Sequence, residues 1–456
     1  MTIRITRCVA SLAVLLGSSA VWADPPLTID PGPASAPAPT DGNAPPAATR
    51  PAEKAPTLVL SPMETAGTSS LIESEEIMRG TRLTRGGLRF TMNIFGLVAF
   101  SAGTGLEHGP PDGGLSTGFQ AISLVPLMSA RLGEHLFALV EPAFEASIRS
   151  GVGVDLERIQ VGWRKGRFFV TAGRTHTELG YWNTAYHHGF WLQPTILRPR
   201  IIRFEDQGGR LPVHSVGIVG GAGFDIGESG GMNFVLGISN GRGDVPDDVR
   251  MLSDTNNWKA VTVKIEMENV GARGLRFGVS GLYDRIAPLP GMSTDPNQNL
   301  RENLPDVEIQ EVIANAYLAY RGSRLTLIAE GNLIRHFTDK DTFQTYGAFA
   351  VAALRFGIVS PVLSVEYLDN DGKVDPFFHP HNLAMHLPDP GEEFIPERFV
   401  EGIVGLRIET GSWSAIKVEG RITHPLGKGL PDMNNPNGID LPGAWYSGTV
   451  NWGFGI

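Results

Sequence analysis

The sequence predicts an all-β fold, a transmembrane antiparallel β-barrel of about 16 strands. Three observations lead to this prediction. Apolar and polar residues alternate in many short segments after residue 87, and the links between these segments are by turns short and long. No run of about 18 apolar residues follows residue 23, so helical membrane spans are not expected.

The first 23 residues have the pattern of a secretory signal peptide. Arg4 and Arg7 give a positive start, a mostly apolar run follows at 9–16, and small residues lead to Ala23. The run is too short to cross a membrane as a helix. We therefore expect export and cleavage after Ala23, which leaves 433 of the 456 residues.

The composition excludes several kinds of site and partner. Cys8 is the only cysteine and lies within the signal, so the exported chain has no thiol for disulfides, metal binding or nucleophilic catalysis. Without Arg4 and Arg7 the formal net charge changes from −10 to −12, and an acidic chain argues against nucleic acid as a partner. No cofactor is expected.

Residues 24–86 differ in composition from the rest of the chain. They are rich in Pro and Ala up to about residue 56, which predicts an extended periplasmic linker without a core of its own. The pattern between Glu64 and Leu83 allows one short helix. The barrel domain is predicted to run from residue 87 to residue 456.

Each barrel strand should have one apolar face toward lipid and one polar face toward the lumen. Between residues 258 and 267, for example, Val263 and Ile265 alternate with Lys264 and Glu266. The alternation places charges of both signs on the predicted lumen face: Arg89, Arg158, Arg164, Lys264, Arg324, Lys417, Arg421, Glu141, Glu145, Glu266, Asp284, Glu330 and Glu419.

The links decide between a membrane barrel and a soluble sandwich, because the strands of both alternate. Tight links are predicted at seven places, among them 165–166 and 271–274. The long polar loops between them are 103–116, 177–212, 240–257, 285–306, 369–398 and 424–443. Short periplasmic turns and long extracellular loops are typical of outer-membrane barrels, and an even strand number leaves both termini in the periplasm.

The last predicted strand has its apolar and aromatic residues on one face. Tyr446, Val450, Trp452, Phe454 and Ile456 share that face. The pattern resembles the terminal strand by which barrel-assembly machinery recognises its substrates, although Ile456 stands where an aromatic residue is usual. We expect that machinery, outer-membrane lipid and lipopolysaccharide as partners.

The region from about 87 to 456 resembles the phosphate-selective porins and the wider 16-stranded porin superfamily. The resemblance is most specific at residues 172–183 and continues at Arg198-Pro199, 204–209 and 211–214. It implies an outer-membrane channel, commonly a trimer, whose third loop folds inward to narrow the pore. By strand count that loop is 177–212.

The sequence departs from this family in two ways. The relatives often carry a helical stretch before the barrel, where this chain has a Pro-rich linker. The phosphate-selective members have a ladder of basic residues along the pore, whereas the lumen faces predicted here mix charges of both signs. We therefore do not expect phosphate selectivity.

The predicted constriction combines charge with aromatic residues. Its candidate pore-lining and solute-binding residues are Arg174, Arg198, Arg200, Arg203, Glu205 and Asp206. Selectivity in a wide barrel has to come from a narrow charged ring. The alternative is that these charges pair with one another and only hold the loop, and that the loop aromatics only pin it to the wall.

Three short motifs have simpler explanations than catalysis or metal binding. Ser239 lies in a Gly-x-Ser-x-Gly pattern, but a hydrolase needs a helix after the serine and a loop is predicted. The loop 369–398 contains three histidines and several aspartates, so it stays a candidate metal site. Its Asp-Asn-Asp-Gly start is also explained by a simple turn.

The leading functional hypothesis is passive diffusion of small polar or charged solutes through an outer-membrane porin. An enzyme is not expected, because no Ser/His or Asp/His constellation stands out on facing strands. The alternatives are a barrel enzyme and a structural or adhesive barrel without an open pore.

Overall fold

The structure is a computed structural model of the chain. It describes residues 81–85, 87–104, 115–147, 151–186, 192–204, 209–243, 256–286, 308–339, 341–371, 375, 377–378, 398–411, 414–426 and 444–455. The predicted signal peptide and nearly all of the predicted linker lie outside these residues. No helix within the described ranges is long and apolar enough to cross a membrane.

Seventeen strands make up almost all of the regular structure in the described residues. They are β1 (Thr81–Arg85), β2 (Leu88–Thr104), β3 (Leu115–Leu132), β4 (Leu136–Ser147), β5 (Gly151–Lys165), β6 (Phe168–His176), β7 (His214–Ile226), β8 (Gly230–Ser239), β9 (Ala260–Glu268), β10 (Leu275–Ile286), β11 (Ile309–Arg321), β12 (Leu325–Phe337), β13 (Thr342–Leu354), β14 (Val359–Asp369), β15 (Phe399–Gly411), β16 (Ser414–Pro425) and β17 (Trp445–Gly455). One short helix, α1 (Trp182–Ala185), and a 3-10 turn (Arg200–Ile202) lie between β6 and β7.

Strands β2 to β17 close into a 16-stranded antiparallel barrel. Each strand pairs with the next along the chain, and β17 pairs with β2 from Ser447 opposite Gly103 to Gly455 opposite Phe95. Closure leaves no unpaired strand edge, which a barrel in hydrocarbon requires. The predicted fold class is confirmed, and the protein is an outer-membrane barrel.

The links alternate in length as predicted. At the periplasmic end they span two to six residues, and Gly166 adopts a φ of +56° in the two-residue turn between β5 and β6. At the extracellular end the longest link joins β6 to β7 and covers residues 177–213. It is the third link at that end, and we call it loop 3.

The distribution of polarity is the reverse of that in a soluble protein. Val263, Leu327 and Trp452 are exposed on the outer face, whereas their neighbours Lys264 and Asn451 are buried on the inner face. The predicted lipid and lumen faces of β9, β12, β16 and β17 are thereby confirmed. Lipid, rather than a protein core, covers the apolar face of such a barrel.

The strand β1 was not predicted. It pairs with β2 from Thr81 opposite Met92 to Arg85 opposite Leu88, beside the part of β2 that β17 does not reach. The predicted short helix ends at Leu83, but Thr81 to Leu83 are extended and hydrogen-bonded to β2. Residues 64–80 of that helix lie outside the described residues.

Candidate functional site

Loop 3 folds into the lumen and packs against the inner faces of β9 to β16. We call this set of inner faces the loop wall, and the inner faces of β2 to β6 the far wall. The main chain of loop 3 is held at several points by side chains of the loop wall. Gly180 N donates to Ser280 Oγ on β10 (2.9 Å), and Ile196 N donates to Glu419 on β16 (2.5 Å).

A row of directly opposed residues on the loop wall carries the carboxylates that face loop 3. The partners follow one another across eight strands, and every member except Gly278 and Phe349 is polar: Glu266, Gly278, Tyr317, Glu330, Phe349, Glu366, Glu401 and Thr423. We call them the acid row. Directly opposed residues follow one line across the strands, so the row forms a continuous band over half of the lumen wall.

Two carboxylates of the acid row bind the N-termini of the short helical turns in loop 3. Glu330 accepts hydrogen bonds from the main-chain N–H groups of Tyr181 (3.0 Å) and Trp182 (3.1 Å) at the start of α1. Glu366 accepts one from Arg200 N (2.8 Å) at the start of the 3-10 turn. These N–H groups have no partner within the turns, so the wall supplies the negative charge that such a terminus favours.

Glycines allow this close approach. Gly180 has a φ of +69°, and a β-carbon there would overlap the Glu330 carboxylate. On the wall, a β-carbon at Gly347 of β13 would overlap the Ile201 side chain of loop 3. Any larger residue at either position would push loop 3 away from the wall.

An apolar and aromatic cluster fills the space between loop 3 and the loop wall. Trp182 is fully buried, and its ring lies edge-on to Phe349 with centroids 5.6 Å apart. Tyr181 lies 5.8 Å from Tyr317, whose hydroxyl donates to Glu266 (2.6 Å). Tyr181 and Trp182 therefore pin loop 3 to the wall, which was one of the roles that the sequence left open for the loop aromatics.

The structure places the predicted loop arginines in buried contacts. Arg200 is only 1% exposed, and its Nε and a terminal nitrogen lie 3.1 and 2.8 Å from Glu401 Oε2. Arg198 donates to Asn183 Oδ1 (2.9 Å) and lies over the Phe204 ring at 4.7 Å. Arg203 is also buried and faces the backbone oxygen of Arg198. Their role in lining a passage stays a prediction, because these contacts tie them to the wall and to loop 3.

The remaining predicted site residues are Arg174, Glu205 and Asp206. Glu205 and Asp206 lie outside the described residues. Arg174, at the end of β6, is buried, and its Nε donates to the Glu157 backbone oxygen (3.2 Å).

A second buried cluster fastens loops at the extracellular end of the same wall. His336 of β12 lies between two carboxylates, with Nε2 3.0 Å from Glu311 and Nδ1 2.8 Å from Asp375. Arg242 donates its main-chain N–H to Asp284 (2.7 Å), and its guanidinium lies 3.2 Å from Glu311. Burial alone raises the pKa of the Asp375 carboxyl, but the charge and hydrogen bond of His336 lower that pKa below its ordinary value.

The far wall is organised differently. Arg158 and Glu141 form a buried pair at 2.5 Å between β5 and β4. Toward the periplasmic end three arginines, Arg89, Arg131 and Arg164, face the lumen on neighbouring parts of the wall. Arg89 lies directly opposite Arg131 on β3, and Arg131 is close enough to Arg164 on β5 for their charges to repel.

The other motifs are accounted for. Ser239 ends β8, and the described residues after it, 240–243, are not helical. Asp371 N donates to Asp369 Oδ1 (2.9 Å), which is the side-chain turn favoured by the sequence. The histidines of the loop 369–398 lie outside the described residues. Within the described part of the chain, no group of three His, Cys, Asp or Glu side chains is arranged to hold a metal ion.

Some of the residues that hold the loops against the loop wall were not expected from the sequence. Glu366, Glu401 and Glu311 are absent from the predicted lumen charges, although each lies at an inward position of an alternating strand. An aligned count of inward residues from the periplasmic turns would have found the acid row.

No family model matches the sequence, and no curated protein matches it. Solved structures do match. The anion-selective porin from Comamonas acidovorans has a TM-score of 0.53 and 10% identity, over 80% of this chain and 100% of that chain. The outer membrane channel DcaP of Acinetobacter baumannii has a TM-score of 0.48 and 11% identity, over 82% and 99%. Salmonella typhi OmpF has a TM-score of 0.47 and 12% identity, over 82% and 100%. The Comamonas likeness shows the fold.

Proposed function

We propose that the protein is a passive channel through which small polar or charged solutes cross the outer membrane. The observation that carries this proposal is loop 3, whose described residues lie inside a 16-stranded barrel. In the contacts described above, one wall holds them. A barrel of this size encloses more space than its own side chains fill. A fixed loop narrows such a lumen without closing it.

The polar inner faces support the same proposal. Arg131, Arg164 and Glu145 of the far wall point inward and are half-buried or exposed, where an inert barrel would favour apolar packing. Hydrogen-bonding groups along the wall replace part of the water that a polar solute loses on entry. The Comamonas acidovorans protein, which has the same fold, is an anion-selective porin, and this fits a channel on such a barrel.

The test is single-channel recording in a planar lipid bilayer. Purified full-length protein is expected to insert in discrete steps of constant conductance. Replacement of residues 179–211 by a short Gly/Ser linker should raise the conductance several-fold. A matched replacement in the link between β16 and β17, residues 426–444, should leave the conductance close to that of the wild type.

The same recording separates the alternatives. The packing of loop 3 against one wall is also what a plugged structural barrel would have, and such a barrel would give no steps until loop 3 is removed. A barrel enzyme would give no steps in either form. The homotrimer, the recognition by barrel-assembly machinery and the signal peptide stay predictions, which crosslinking, deletion of residues 450–456 and N-terminal sequencing would test.

A further inference from the structure

The aromatic and apolar residues on the outer face of the barrel mark the extracellular boundary of the membrane. Trp258, Tyr283, Tyr346 and Tyr367 are each exposed at the extracellular ends of β9, β10, β13 and β14, with Trp258 51% exposed. Below them, toward the periplasm, the outer face is apolar, with Val263, Ile265 and Val279 among its exposed residues. A girdle of aromatic residues above an apolar band marks the boundary between hydrocarbon and headgroups.

Three basic residues lie at this boundary on the outer face. Tyr283 and Val261 are opposed on β10 and β9, so Arg285 and Lys259, each two residues farther out, share the next level. Val312 is opposed both to Tyr283 and to Arg335, which places Arg335 in the same row of paired residues as Tyr283. We call Lys259, Arg285 and Arg335 the rim patch. Neighbouring strands are about 4.8 Å apart, so the patch is only about 15 Å wide at the backbone.

Local contacts hold the two guanidiniums against the outside of the barrel. The Arg285 guanidinium lies 3.8 Å from the centre of the Trp258 ring, and its Nε donates to the Tyr283 hydroxyl (3.1 Å). The Arg335 Nε donates to Gln344 Oε1 (2.9 Å). Both groups are thereby oriented before a ligand arrives, which lowers the entropy lost on binding.

The rim patch also has a carboxylate beside it. Glu308 lies 3.4 Å from Arg285, and it is itself 44% exposed, so it is a weak competitor in water. Arg398, farther round the rim, is not part of the patch, because Asp369 binds its Nε and a terminal nitrogen at 2.8 and 3.2 Å.

We propose that the rim patch binds the phosphate groups of a phosphorylated glycolipid of the outer leaflet, the lipid A part of lipopolysaccharide. Guanidinium and ammonium groups match phosphate oxygens in charge and geometry. The acyl chains of the same lipid lie along the exposed valines below the patch. A soluble phosphate would meet the cations only, whereas a lipid meets the cations, the aromatic girdle and the apolar band together. This inference does not depend on the channel proposal.

The test is native mass spectrometry of full-length protein in detergent, titrated with bis-phosphorylated lipid A. The variant Lys259→Gln/Arg285→Gln/Arg335→Gln is compared with Lys165→Gln/Arg167→Gln. Lys165 and Arg167 are exposed at the periplasmic end, and Arg167 lies over Phe224 at 5.7 Å, so the control removes exposed basic residues of similar setting. Unaltered heat-modifiable mobility on gels shows that each variant is folded.

We expect the triple variant to bind lipid A at least tenfold more weakly, since each basic residue near an anionic lipid surface contributes roughly a fivefold factor. The control should bind like the wild type, and dephosphorylated lipid A should bind both proteins equally weakly. Inorganic phosphate at millimolar concentration should displace little lipid. Equal lipid binding by the triple variant, an equal loss in the control, or full displacement by inorganic phosphate would each overturn the proposal. Should the triple variant not assemble, Arg335→Gln alone is expected to give the same result at about fivefold.

Discussion

The loop wall and the far wall line the same lumen with the same kinds of residue and use them differently. On the loop wall, Glu330 and Glu366 bind main-chain N–H groups of loop 3, and Glu401 binds Arg200. On the far wall, Glu141 pairs with Arg158 of the neighbouring strand. The net charge of a lumen therefore does not give the charge that a solute meets, because carboxylates bound to a loop are no longer available to it.

The physical reason is the cost of a buried carboxylate. An ionised group away from water is tolerated only with hydrogen bonds or an opposite charge. Glu330, at 3% exposure, has two main-chain donors from loop 3 and a third from Asn315 Nδ2 (2.9 Å). The carboxylate fixes the loop, and the hydrogen bonds from the loop in turn favour the charged form of the carboxylate.

The largest effect is expected from the aromatic cluster of the loop wall. Trp182→Ala should weaken the attachment of loop 3 by about 3–5 kcal/mol, the usual loss for a fully buried aromatic side chain. Channel recordings should then show higher and noisier conductance. Phe95→Ala, which removes a buried ring from the far wall, should lower barrel stability while leaving the current steady. Equal noise from both variants would mean that the two walls do not differ.

The next largest effect tests which face of each strand points to lipid and which to the lumen. Val263→Arg on the outer face of β9 should cost about 2–4 kcal/mol if it lies near the bilayer midplane. Thr326→Arg, on the inner face of β12, should be tolerated, because Thr326 is half-buried and faces the lumen. Urea unfolding in lipid vesicles measures both, and an equal cost would contradict the assignment of the two faces.

A carboxylate of the acid row should have a smaller effect. Glu330→Gln removes the charge that receives Tyr181 N and Trp182 N, and hydrogen bonds to a charged group contribute about 1.5–3 kcal/mol. Faster protease cleavage within loop 3 is the measurement. Glu145→Gln is the matched control, because Glu145 is an exposed carboxylate of the far wall. If both variants were cleaved alike, Glu330 would not be an anchor.

The barrel could be predicted because its causes are local. Alternation with a period of two places Val263 outside and Lys264 inside whatever the rest of the chain does, and closure follows from the need to pair every strand edge in lipid. Loop 3 was found by counting links. The strand β1 was missed, because Thr81–Arg85 follows a segment with helical spacing and its pairing with β2 depends on where β17 ends.

The roles of the site residues could not be predicted in the same way. Arg200 binds Glu401, which lies 201 residues later in the sequence, and no pattern near either residue indicates the other. The sequence around a charged loop residue has the same pattern whether that residue faces water or a buried carboxylate. The wall partners of the loop become known only when the strand registers bring Glu330, Glu366 and Glu401 into one row of opposed residues.

Low pH should loosen the extracellular end of the loop wall. The pKa of Asp375 lies below that of an unfolded aspartate, so its contribution to stability is present above pH of about 3.9 and is lost as the pH falls through the lower folded value. Pepsin cleavage after residue 378 should therefore increase only in strong acid. Asp375→Asn should be cleaved more readily than the wild type at pH 4–5, with little further change on acidification. A wild type whose cleavage rose already near pH 6 would contradict this assignment.

The smallest expected effect is a shift of about twofold in the anion-to-cation permeability ratio. It compares the two walls by the charge that a solute meets rather than by their stability. In a narrow passage a unit charge acts more strongly than in bulk water. Arg131 and Arg164 are half-buried and face the lumen, and the buried Arg164 Nε has no hydrogen-bond partner among the described residues. Arg131→Gln/Arg164→Gln should therefore move the reversal potential in a salt gradient toward cations.

The loop arginines supply the comparison for that measurement. Arg200→Ala should lower stability and leave the reversal potential unchanged, because its guanidinium is bound to Glu401 and the contact is closed to water. Arg198→Ala and Arg203→Ala are expected to follow it. A shift toward cations with altered conductance in these three variants, and none in the far-wall double variant, would instead place the constriction on loop 3, as the sequence alone predicts. The two outcomes exclude each other, because one assigns the selective charge to the far wall and the other assigns it to loop 3.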